Sequence, residues 1–123
     1  MMLKTLGLVA VLVLGSAAPA LAQGMCSEPI APAAVDGNVA TSAQMGSAHD
    51  DVVTFLKQSD DYQSCVLKEL NDAKADALKA KKDVDPALEP AADAKIRANQ
   101  GLKEKVGSEF NASVLAYKAK HPK

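Results

Sequence analysis

Two cysteines, two histidines and several closely spaced carboxylates carry most of the chemistry available to this 123-residue chain. The cysteines, Cys26 and Cys65, stand 39 residues apart. Thiols that tune one another are spaced C-x-x-C, so this pair does not read as a redox motif. A lipid anchor needs a small residue directly before the cysteine, and Met25 and Gln23 break that pattern. A dedicated zinc site needs more Cys and His than the chain holds. A structural disulfide remains, favoured by an even cysteine count and by the export signal described below. Closing a loop of that length stabilises by about 4 kcal/mol in the chain-entropy account.

Met45 and His49 lie one helical turn apart, a thioether and an imidazole of the kind that copper accepts. Two ligands do not make a site, and a third would have to come from Met25 or His121. The reading is no metal and no cofactor, with copper on Met45 and His49 as an alternative. Asp60 and Asp61 are adjacent, and neighbouring helical side chains diverge by ~100°, so they do not converge on one substrate atom. No serine or histidine has the context of a nucleophile elbow, and no glycine-rich phosphate loop is present. The chain therefore reads as a non-enzyme. Asn111-Ala112-Ser113 matches a glycosylation sequon, but it falls inside a predicted helix and reads as coincidence.

The first residues, "MMLKTLGLVAVLVLGSAAPALAQ", have the form of a Sec-type signal peptide over 1–22. Lys4 supplies the positive end, Leu6 to Leu14 the apolar stretch, and Ala20-Leu21-Ala22 the cleavage site. No second apolar run of membrane length follows. The expectation is an exported, soluble chain from Gln23 to Lys123, in the periplasm or released outside the cell. Lys4 is the sole charged residue of the leader, so all 15 acidic and all but one of the 14 basic residues remain. Both signs are interleaved, which argues against nucleic acid and anionic membrane surfaces as partners. Aromatics are limited to Phe55, Phe110, Tyr62 and Tyr117, too few for a deep core with an enclosed pocket.

The predicted fold is all-α: a long antiparallel two-helix hairpin with an extended N-terminal strap pinned by one disulfide. Helix 1 is expected over 41–82, opened by a capping box on Thr41 and Gln44. Its apolar residues, including Met45, Val52, Phe55, Leu56, Tyr62, Val66 and Leu70, recur at three- and four-residue steps. The turn and helix 2 occupy 83–123, with Asp85 as the expected N-cap and Pro86 or Pro90 in the first turn. The facing stripe is Leu88, Ala92, Ile96, Leu102, Val106, Phe110, Val114 and Tyr117. An antiparallel register with constant position sum pairs Leu78 with Leu88, Leu70 with Ile96, Leu56 with Phe110 and Val52 with Val114. The expected core is Val52, Leu56, Tyr62, Leu70, Ile96, Val106, Phe110 and Val114, with Val53, Leu67 and Leu115 off the seam.

Residues 23–40 form the predicted strap. The helix from Thr41 to Cys65 spans about 36 Å, and the chain from Cys26 to Thr41, held extended by Pro29 and Pro32, covers about 46 Å. Cys26 can therefore return along helix 1 and meet Cys65, with Ile30, Val35 and Val39 expected to supply apolar contacts. A tethered, unordered tail is the alternative. The series C-x-x-P-x-x-P, DG, AT-x-x-x-M and DDYQSC, between Cys26 and Leu67, resembles a group of small exported proteobacterial proteins of uncharacterised function. The resemblance implies a bacterial, periplasmic setting and no activity, ligand or catalytic residue. The expected role is contact with an unidentified protein partner, by a monomer or weak homodimer. A stress-protective holdase and the copper module are the alternatives.

Overall fold

The computed structural model describes residues 25–123, so the leader predicted over 1–22 lies outside them. Helix α1 runs Ser42–Lys79 and α2 runs Leu88–Lys120. They pack against each other as an antiparallel hairpin, with no strand among the described residues. Each helix is long because proline is absent from its interior and seam residues return every three or four positions.

The start of α1 is the predicted capping box. Thr41 Oγ1 accepts from the Gln44 amide at 3.1 Å, and Gln44 Oε1 accepts from the Thr41 amide at 2.8 Å. The end is a Schellman motif built without glycine. Lys81 takes a left-handed backbone, φ 54°, while the Lys82 amide reaches back to the Ala77 carbonyl at 2.9 Å and the Lys81 amide to that of Leu78 at 3.2 Å. Asp85 is not the N-cap of α2. Its side chain accepts from the Ala87 amide at 2.9 Å and its carbonyl from the Leu88 amide at 3.1 Å, a local turn that delivers the chain to Leu88. Pro90 falls in the first turn, where a missing N–H costs nothing.

Tyr62, Val66 and Ala92 form the buried apolar centre, with Cys26, Leu70 and Ile96 packed against it. Phe55 and Val106 are also buried. Of the expected core, Tyr62 and Val106 are buried, while Val52, Leu56, Leu70, Ile96, Phe110 and Val114 are half-buried. The expected register is displaced. It would set Asp60 against Val106 and Lys74 against Ala92, yet Asp60 pairs with Lys103 and Lys74 with Glu89. Each α2 partner lies about one turn nearer the loop. Because Glu89 sits at the very start of α2, the end of α1 overshoots it. Leu78 projects from that overhang at 79% exposure, and its expected partner Leu88 is 37% exposed. Matching large residue to large residue misplaced the register because the α2 side of the seam is built from Ala92, Asn99, Val106 and Ser113, three of them small or polar.

Truncating Phe55, 2% exposed, to alanine should cost ~3–5 kcal/mol in chemical denaturation. Leu78→Ala should stay within ~0.5 kcal/mol of the parent. Similar costs at the two positions would contradict the displaced register.

Candidate functional site

The hairpin has two unlike flanks. One is covered by the strap, residues 25–40, which runs antiparallel to α1 from Cys26 to the Thr41 cap. Cys26 and Cys65 are joined by a disulfide with Cα atoms 5.7 Å apart. From there Met25 to Pro29 lie along Gln58, Asp61 and Tyr62. Pro32 to Val35 then cross the groove between the helices, over Ala48 and Val52 on one side and Val106, Glu109 and Phe110 on the other.

Two backbone contacts fix the far end of the strap. The Ser113 hydroxyl donates to the Val35 carbonyl at 2.5 Å. Gly37 is buried against α2, and a Cβ there would fall 1.9 Å from the Ser113 carbonyl oxygen and 2.9 Å from the Tyr117 nitrogen. Nothing but glycine allows that approach. Asp36 then turns the chain: its side chain accepts from the Asn38 amide at 2.9 Å and its carbonyl from the Ala40 amide at 3.0 Å. Ile30 and Val39 do not supply the expected contacts; they are 91% and 78% exposed. The strap is held by a covalent bond, a hydroxyl and a glycine, and its largest apolar side chains point outward.

Between the helices lies a polar layer that apolar periodicity does not reveal. Ser59 and Asn99 are fully buried, and Ser113 nearly so. Asn99 Nδ2 donates to Ser59 Oγ at 3.2 Å, and Gln63 Nε2 donates to Asn99 Oδ1 at 2.9 Å. Every buried polar side-chain atom among the described residues has a partner. The signal was legible as spacing: Ala92, Asn99, Val106 and Ser113 recur every seven residues, one buried column of α2.

The remaining candidates separate. Asp60 faces Lys103 across the open flank, whereas Asp61 lines the depression beside the strap, so the two carboxylates diverge. Met45 is buried, while the exposed His49 ring rests on Phe110 with centroids 5.9 Å apart. Met25 sits beside Cys65, about 24 Å along α1 from His49, too far to join it as a ligand. His121 stacks on Tyr117 at 4.1 Å. Ser113 of the sequon is committed to the strap. Val53, Leu67 and Leu115 stand off the seam as expected, at 51%, 48% and 68% exposure. Burial raises the Tyr62 phenol above its ordinary value, and the nearby Glu28 and Glu69 add to the shift. Comparison with family models, curated proteins and solved structures returns no match.

Gly37→Ala should destabilise by ~1–3 kcal/mol, because the new methyl group must push the strap off α2. Thermal unfolding reads this, and an unchanged midpoint would mean that the turn is not seated on Ser113. Tyr62 gives a pH prediction. Its folded phenol holds the proton more tightly than the unfolded one, so its contribution is complete below about pH 10 and is lost as pH rises through the raised folded value. Tyr62→Phe should flatten the alkaline limb of a stability profile; an identical limb in both proteins would contradict the assignment.

Proposed function

We propose that the chain is an exported, non-catalytic helical protein that works in the periplasm by contact with another protein. A disulfide fits an oxidising compartment. No helix among the described residues is long and apolar enough to cross a membrane. The observation that carries the contact reading is the flank opposite the strap. Val53, Asp60 and Leu67 recur every seven residues on α1, and Asp60 reaches Lys103 across the seam on that side. The strap, by contrast, lies along Gln58, Asp61 and Cys65. The open flank thus displays two half-exposed apolar side chains around one ion pair. That pattern suits a specific partner, because the ion pair would fix orientation while the apolar pair supplies buried area.

A holdase needs broad apolar surface, whereas charges punctuate this flank. The two readings separate in one pair of assays. Val53→Asp with Leu67→Asp should leave the helical circular dichroism intact and abolish capture of a partner from the native envelope fraction by the tagged protein. Retained capture by the doubly charged variant would remove this flank from the account. Suppression of aggregation of an unrelated unfolding protein would support the holdase instead.

A further inference from the structure

The disulfide is the centre of a group of three side chains of the kinds that bind metal ions. Cys65 and Glu69 are four residues apart in α1, so their side chains rise from successive turns of one face. The strap brings Cys26 to the same place. One ligand atom from each of Cys26, Cys65 and Glu69 lies within 4.8 Å of the others, and all three residues are half-buried. No other such group of three occurs among the described residues. Lys68 pairs with Asp72 and Lys74 with Glu89, and Glu69, which lines a depression together with Lys95, forms no ion pair among the described residues.

We infer that Cys26, Cys65 and Glu69 form a redox-gated site for a zinc-class divalent cation, closed while the disulfide stands and open once it is reduced. A dithiol reductant supplies two electrons and two protons. The S–S bond breaks, both cysteines become thiols, and the reductant leaves as its own disulfide. Cation binding then displaces the two thiol protons to solvent and forms two metal–sulfur bonds and one metal–oxygen bond. Sulfur at ~2.3 Å and oxygen at ~2.0–2.2 Å in tetrahedral geometry need sulfur atoms about 3.8 Å apart. Reduction frees the two sulfur atoms to part to that separation, with a Glu69 carboxylate oxygen within 4.8 Å of both in the oxidised protein. The fourth position is left to water, as in three-ligand sites. Thiolate ligands select borderline-soft ions over calcium and magnesium. Counting only Cys and His in the sequence overlooks the carboxylate that completes the set. The cation would hold the ends of the strap and α1 that the covalent bond holds in the oxidised protein.

The test uses purified protein reduced with an immobilised phosphine, separated from it without air, and titrated with Co(II) as a spectroscopic stand-in for zinc. Reduced protein should bind one equivalent with a thiolate-to-cobalt charge-transfer band, and oxidised protein should show none. Glu69→Gln should bind at least about tenfold more weakly with its helical signal unchanged. Cys26→Ser should lose much of the band. Absence of the band in reduced protein would overturn the proposal, and so would equal affinity in Glu69→Gln. Collapse of the helices on reduction would overturn it too, since the Cys65 and Glu69 spacing exists only on a helix.

Discussion

The Cys26–Cys65 bond is the constraint on which the rest depends. A hairpin of two helices buries each on one side only, and a chain this short has little core to spare. The bond converts an N-terminal segment into a third layer by fixing one end at mid-helix. The capping box of Thr41 fixes the other end, because the strap must turn through Asp36 and Gly37 to enter α1. Between these points the segment has no regular hydrogen-bonded structure, and it stays in the groove through the Ser113 hydroxyl and the close approach at Gly37. Each of these contacts is small. They act together because the covalent tether has already removed most of the freedom of the strap.

The polar layer plays a complementary part. Asn99 is fully enclosed and bonded to both Ser59 and Gln63 of α1. Sliding α2 by a turn would leave those groups buried without partners, at a cost of ~1–3 kcal/mol each. A buried asparagine in a two-helix seam is a known device for fixing register. It accounts for a register that differs from the one apolar matching suggests.

The architecture was legible in the sequence because helix periodicity, the T-x-x-Q cap, the proline break and paired cysteines are all local or countable signals. The strap was legible as a distance: fifteen residues of extended chain reach farther than the helix they run beside. The details that failed depend on contacts between distant segments. Ile30 and Val39 read as contact residues by type, yet the backbone, and not their side chains, faces the helices. Ser59, Asn99 and Ser113 fall outside the apolar stripes, yet partners from another element satisfy them in the interior. Glu69 comes to lie beside two sulfurs only because the strap brings Cys26 to Cys65.

One flank of the molecule is closed by the strap and the other is open, so its outward-facing chemistry is asymmetric. The open flank carries the proposed partner contact, and the closed one carries the only group of three His, Cys or carboxylate side chains close enough to share an ion among the described residues. Both depend on the strap being a structural layer. Denaturant unfolding of oxidised and reduced protein, with chelator present throughout, tests that most directly. Reduction should lower the unfolding free energy by about 4 kcal/mol, and the Ala40 amide, bonded to Asp36 in the turn, should lose protection from exchange at the same step. Equal stability and equal protection in the two forms would contradict that role of the strap.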